Sequence, residues 1–200
     1  MNIGFLASHG GSNMQAIIDA CKAGRLHATP VVVISNNGDS RALERARTEG
    51  IPSYHLSGTT HPDPEVLDQA ILDALVRHDV DVVALAGYMK KLGPRTLARF
   101  EGRILNIHPA LLPKHGGKGM WGMHVHEAVI ASGETESGVT VHLVNEEYDR
   151  GPILAQVRVP VMPGDTPETL AARVLIQEHI IYPATLEKIA TGEIVLSGEK

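Results

Sequence analysis

The chain has 200 residues, a formal net charge of −5 and a sequence pI near 6.1. That length suffices for one domain with a substantial core, and an acidic balance without any basic run argues against a nucleic-acid partner held through its phosphates. Cys21 is the single cysteine, which excludes an internal disulfide and a thiolate metal cluster. No apolar run reaches the length of a membrane span. Met1 to Ala7 carries neither a basic stretch nor a cleavage site of small residues. A cytoplasmic protein with no membrane contact is the expectation.

Ile3-Gly4-Phe5-Leu6-Ala7 reads as a first buried strand, followed by the turn Ser8-His9-Gly10-Gly11-Ser12-Asn13 and a helix over Met14–Cys21. Strand, glycine turn and helix start aim free backbone N–H groups and the helix dipole at an anion. Ser12 or Asn13 is placed to cap that helix or to reach a phosphate. The same arrangement also suits an ordinary turn that needs glycine for backbone reasons. The turn reads neither Gly-x-Gly-x-x-Gly nor a Walker loop, so the expected phosphate is that of a mononucleotide or sugar phosphate.

Val31–Ser35 is a second buried strand, Ala42–Gly50 a helix with a glycine end, and Pro52–Leu56 a short third strand. A polar loop, Gly58–Pro64, leads to a helix whose apolar face is Leu67, Ala70, Ile71, Ala74 and Leu75. Asp81–Ala86 is a fourth strand. The order βαβαβαβ implies a parallel, doubly wound sheet. Gly87–Pro94 then forms a strand-end loop on the ligand side, with Lys90 and Lys91 either engaged there or simply solvated. A short helix follows at Thr96–Phe100.

Gly102–Leu105 opens a further strand that continues into Asn106-Ile107-His108-Pro109. Alternation turns Asn106 and His108 to the same side, and Pro109 ends the ladder. An amide able to stabilise an oxyanion stands beside an imidazole able to move a proton near neutral pH. This pairing suits acyl or formyl transfer; it also suits a capped strand end with a core histidine. Lys114–Gly122 is glycine-rich, readable as a lid or as a surface excursion. Met123 starts a helix that runs to Ser132-Gly133. His108, His115, His124, His126 and His142 raise the question of a metal site, but their spacing matches no helical zinc motif and no carboxylate partners are evident.

Gly138–Val144 is an alternating strand, Asn145–Pro152 an acidic turn and Ile153–Val161 the return strand of a hairpin antiparallel to its neighbour. Asp149 at the turn is placed to orient a histidine and raise its pKa, or to form the turn itself. Thr166 and Pro167 open the last helix. Its apolar face is read as Leu170, Val174 and Ile181, interrupted by Gln177; Gln177-Glu178-His179 face either the ligand cleft or water.

Gly11-Ser12-Asn13, Ala86-Gly87-Tyr88-Met89, Asn106 to Pro113, Val141-His142 with Asp149-Arg150-Gly151-Pro152, and Gln177-Glu178-His179 together resemble the formyltransferase superfamily, in its glycinamide ribonucleotide branch. The resemblance covers nearly the whole chain. It implies an α/β fold: a mostly parallel, Rossmann-like doubly wound sheet with a late antiparallel hairpin. It implies one domain over 1–200, with a nucleotide phosphate-binding half (1–100) and a catalytic and folate-binding half (101–200). The implied reaction moves a formyl group from 10-formyltetrahydrofolate to glycinamide ribonucleotide in purine synthesis, without a metal, in a monomer or homodimer. Gly11, Ser12, Asn13 and Glu178 match the ribonucleotide contacts. Met89, Lys90, Lys91, Leu92 and Asn106 match the folate contacts, and Asn106, His108 and Asp149 the catalytic trio. The Leu112–Pro113 bond is implied to be cis. Three departures stand out: the longer Gly116–Gly122 segment, Pro62-Asp63-Pro64 where relatives carry an arginine, and the Lys90-Lys91 pair. A formyltetrahydrofolate hydrolase, a tRNA formyltransferase and a silent binding module are the rival readings.

Overall fold

The computed structural model describes residues 1–197. Its strands are β1 (Asn2–Leu6), β2 (Thr29–Ser35), β3 (Ser53–His55), β4 (Val82–Leu85), β5 (Ile104–His108), β6 (Glu136–Leu143) and β7 (Ile153–Pro160). Its helices are α1 (Ser12–Lys22), α2 (Arg41–Thr48), α3 (Pro64–Arg77), α4 (Pro94–Arg99), α5 (Met123–Ala131) and α6 (Pro167–Ala190). The strands form one sheet in the order β3-β2-β1-β4-β5-β6-β7. Strands β1 to β5 pair in parallel, whereas β5-β6 and β6-β7 pair antiparallel. β1 lies between β2 and β4, so the direction of winding reverses there. The crevice outside the carboxyl ends of β1 and β4 is therefore the place where such a sheet binds ligands.

Alternation along β1 builds both faces of the core. Ile3, Phe5 and Ala7 enter one apolar cluster with Ile17 of α1 and Val174, Tyr182 and Leu186 of α6. Leu6 points the other way, to Leu75 of α3, Val83 and Phe100. Gly4 leaves room on that second face, since a Cβ there would lie 2.9 Å from Leu75 and from Val80. Both faces of the parallel strands are buried, which is why they read as unbroken apolar runs.

Two helix starts and one helix face differ from the sequence reading. α3 begins at Pro64, because the Asp63 carboxylate accepts from the Glu65 N–H at 2.8 Å and caps the helix. Pro62-Asp63-Pro64 is therefore a helix start. α4 begins at Pro94, held by Asp68 of α3, whose carboxylate accepts from the N–H groups of Arg95 and Thr96 at 2.8 and 3.1 Å. On α6 the buried stripe is Leu170, Val174, Glu178, Tyr182 and Leu186, one every fourth residue. Glu178 is its polar interruption, and Ile181 is only half-buried. Among the described residues, no helix is long and apolar enough to cross a membrane.

Candidate active site

The turn after β1 is set by Gly11. It is the N-cap of α1 with φ 66°, a left-handed conformation that glycine adopts without a steric penalty. Neither Ser12 nor Asn13 caps the helix: both lie inside its first turn, and Gly11 provides no side-chain cap. The first-turn N–H groups have no partners within the helix, so this end can receive an anion. α2 closes over the turn: Ala42 N–H donates to the His9 carbonyl and Arg45 Nε–H to that of Gly10, each at 3.0 Å. The Asn13 amide donates to Glu178 Oε2 at 2.5 Å, while Asn13 Oδ1 is buried with no partner. Burial pushes the Glu178 carboxyl above its ordinary range, with the Asn13 bond opposing. The neighbouring His179 has a buried Nε2 without a partner.

The second group of side chains comes from β5, β6 and the β6–β7 turn. In the antiparallel ladder Asn106 lies opposite His142, and His108 opposite Thr140. Asn106 Nδ2 lies 3.1 Å from His142 Nε2, and His142 Nδ1 lies 2.9 Å from the Leu143 carbonyl. Asp149 reaches both imidazoles: Oδ2 is 3.6 Å from His108 Nδ1, and Oδ1 is 3.5 Å from His142 Nε2. His108 is 3 % exposed. Its Nε2 lies 2.8 Å from the His115 carbonyl, which can only accept, so the proton of the neutral ring sits on Nε2. Nδ1 is left facing the carboxylate. Burial holds the His108 pKa below its ordinary value, and Asp149 offsets only part of that. Asp149 does act to raise the His108 pKa, but desolvation of the ring outweighs one carboxylate beyond hydrogen-bond distance. Asp149 itself loses solvent, which favours its neutral form, yet His142, the Gly117 N–H and His108 together hold it below the usual carboxylate range.

The turn that follows His108 is pinned from β6 and β7. Thr140 Oγ1–H donates to the Ala110 carbonyl at 2.6 Å and accepts from the Leu112 N–H at 3.1 Å, while Gln156 Nε2 donates to Thr140 Oγ1 at 2.8 Å. The Leu112–Pro113 bond is cis. The glycine-rich segment is not merely a surface excursion. Gly117 N–H donates to Asp149 Oδ2 at 2.9 Å, and a Cβ on Gly116 would lie 2.4 Å from Leu112 and 3.3 Å from Asp149 Cβ. Beyond it, His126 is buried with an unpartnered Nδ1, and burial followed by the charge of His108 lowers its pKa. His124 is exposed and pairs with Glu127 at 3.2 Å. Among the described residues no group of three or more His, Cys, Asp or Glu is arranged to hold a metal ion.

The loop after β4 lies on the same sheet edge. Met89, Lys90 and Lys91 are exposed, and neither lysine forms an ion pair among the described residues. Lys91 Nζ stands 6.0 Å from the centre of the Tyr148 ring. Leu92 belongs to the core, so its side chain is unavailable to a ligand. Burial pushes the Tyr88 hydroxyl up to about 12. The sequence reading left out Ser8, which is 1 % exposed and bonded to this loop. It also gave no role in the site to His142, though the period-two pattern of β6 put that ring on the face of Thr140.

A sheet edge that gathers a helix start with free N–H groups, an amide, two imidazoles and a carboxylate suits a group-transfer enzyme of the doubly wound class. The family model described as formyl transferase matches residues 1–186, and the chain belongs to that family. Within it the relatives are more particular. Phosphoribosylglycinamide formyltransferase of Escherichia coli is 42 % identical over 194 residues, covering 97 % of this chain and 89 % of that one. The chloroplastic phosphoribosylglycinamide formyltransferase of Vigna unguiculata is 46 % identical over 94 % of this chain, which spans 60 % of the plant protein. The crystal structure of glycinamide ribonucleotide transformylase 1 from Symbiobacterium toebii superposes with a TM-score of 0.91 at 40 % identity, covering 99 % of this chain and 91 % of that one. The chain thus sits among the phosphoribosylglycinamide formyltransferases of the formyl transferase family.

Proposed function

We propose that the protein transfers the formyl group of 10-formyltetrahydrofolate to the amine of glycinamide ribonucleotide, yielding formylglycinamide ribonucleotide and tetrahydrofolate in purine synthesis. The observation that carries this reading is the convergence of Asn106, His108 and Asp149 on the sheet edge that also bears the Gly11 turn. Gly11, Ser12 and Asn13 hold the ribonucleotide phosphate at the start of α1. Glu178 and the free Asn13 Oδ1 meet its ribose hydroxyls, which supplies the partner that Asn13 Oδ1 lacks. The exposed loop over Met89, Lys90 and Lys91, with the backbone of Leu92, meets the folate.

The amine nitrogen bonds to the formyl carbon, and the carbonyl oxygen takes the negative charge. The bond to the folate nitrogen then breaks as that nitrogen receives, by way of His108, the proton that the amine released. Asn106 donates to the oxyanion. His108 is neutral at rest, so Nδ1 can take the proton that the amine releases. Asp149 stabilises the imidazolium as it forms. The chemistry draws on no metal. Residues 1–100 supply the phosphate site and residues 101–200 the catalytic groups. The cytoplasm is the proposed compartment, with a monomer or homodimer as the working form.

The test is a spectrophotometric assay of folate product with and without glycinamide ribonucleotide, in the presence and absence of a chelator. Product only with the ribonucleotide, insensitive to the chelator, is expected. Product without it indicates a hydrolase, and no product in either case indicates another acceptor or a silent binding module.

A further inference from the structure

Ser8 lies two residues beyond the end of β1 and is buried. Its hydroxyl proton goes to Asn36 Oδ1, at 2.5 Å, in the loop after β2. A lone pair of the same oxygen accepts the Met89 N–H, at 2.7 Å, in the loop after β4. Its own N–H donates to the Gly87 carbonyl at 3.0 Å. One buried residue thus joins the ends of three adjacent strands, β2, β1 and β4, at the point where the winding reverses. The chain leaves Ser8 directly into the phosphate turn, and Met89 begins the loop assigned to the folate. The Met89 N–H is consumed in this bond, so that loop offers the folate its later N–H groups and its carbonyls.

We propose that the Ser8 hydroxyl is a positioning group that couples the two substrate sites, so that filling the phosphate turn strengthens binding at the Gly87–Leu92 loop and the reverse. The inference rests on the function proposed above and adds to it a coupling between the sites. Closing Gly11–Asn13 on a phosphate fixes the backbone at Ser8. A fixed hydroxyl then holds Met89 and Asn36 in the bound arrangement, and the ordering is not repeated when the second ligand arrives. Linkage makes the effect equal in both directions. Ser8→Ala leaves the Met89 N–H without its acceptor and Asn36 Oδ1 without its donor, and so lets the folate loop move independently of the turn.

The experiment is calorimetric titration of tetrahydrofolate in the absence and presence of saturating glycinamide ribonucleotide, a pair that cannot react because no formyl group is present. In the wild type the ribonucleotide should tighten tetrahydrofolate binding by about fivefold or more. In Ser8→Ala that ratio should fall to about twofold or less, and KM for 10-formyltetrahydrofolate should rise about tenfold. The Kd of the ribonucleotide alone and kcat at saturation should stay within about twofold. Asn36→Asp keeps an acceptor for the hydroxyl and should retain the ratio, whereas Asn36→Ala should lower it and serves if Ser8→Ala does not fold. A wild type without coupling, or a Ser8→Ala enzyme with the full ratio, overturns the inference while formyl transfer stands. A wild type that neither binds the pair nor transfers formyl overturns both.

Discussion

Gly11→Ala is the sharpest perturbation of the phosphate turn, because two separate costs can be read at one position. The backbone there has φ 66° and ψ 27°, and a side chain in that region costs about 1–2 kcal/mol. The added Cβ would also lie 2.9 Å from Ala42 Cβ and 3.0 Å from Ala42 Cα. Ala42 cannot swing aside, since its own N–H is bonded to the His9 carbonyl. Relief needs a shift of α2, and overpacking of this kind costs about 1–3 kcal/mol. Together the variant should lose about 2–5 kcal/mol out of a total stability of roughly 5–15 kcal/mol. For a chain of this size each kcal/mol moves Tm by about 2–4 °C, so Tm should fall by at least about 4 °C. Gly10→Ala is the control: its Cβ meets nothing within 4 Å, and its Tm should stay within about 2 °C of wild type. Differential scanning calorimetry reads the stability, and titration with glycinamide ribonucleotide reads the site. A Gly11→Ala protein with wild-type Tm and ribonucleotide affinity would refute both the backbone argument and the placement of the phosphate.

His108→Asn should lower kcat by about 10²–10⁴ with ribonucleotide affinity unchanged, and a fully active variant would remove His108 from the mechanism. Asp149 has φ 55°, which asparagine tolerates, so Asp149→Asn should fold. It removes the charge that raises the His108 pKa, so the acid limb of kcat/KM and the imidazole NMR titration should both move to lower pH; an unmoved titration contradicts the pairing. Burial raises Glu178 above 4.5, so its neutral form favours folding below that value and the advantage is lost as pH rises through the raised pKa. Glu178→Gln should therefore be more stable than wild type at pH 8, with the gap closing toward pH 5, while ribonucleotide affinity falls about tenfold or more. A gap in Tm independent of pH would contradict this. Tyr182 donates to the Leu85 and Leu105 carbonyls at 3.1 and 3.0 Å, and Tyr182→Phe should lose about 1 kcal/mol, read by urea denaturation as a lower midpoint with the same slope.

The parallel half of the fold was legible because buried strands leave apolar runs and the crossover helices leave apolar faces. The Asn106–His108 pairing was legible for the same local reason: alternation along one strand needs no knowledge of the neighbours. The polar residue in the α6 stripe was not. Gln177 and Glu178 differ by one position in a helix, and which of them faces inward depends on how α6 lies on α1 and the β6–β7 hairpin. The α1 cap was misread because Gly11 carries no side-chain signal; the approach of Ala42 and the positive φ select it. The glycine-rich segment reads as a loop in any sequence pattern, and its link to Asp149 runs through a backbone N–H that every residue except proline possesses.

Composition, periodicity and a few short motifs by themselves determined the class of fold, the strand that carries Asn106 and His108, and the glycine turn between β1 and α1, since each is written in neighbouring residues. The protonation of His108, the two-sided grip of Asp149 on His108 and His142, the raised pKa of Glu178 and the three-strand junction at Ser8 were decided only by the tertiary structure. Burial sets the first and third, and contacts between different elements, spanning up to 165 positions of sequence in the Asn13–Glu178 bond, carry the others. Solvent exclusion and long-range contact are properties of the folded chain, and no local pattern of residues encodes them.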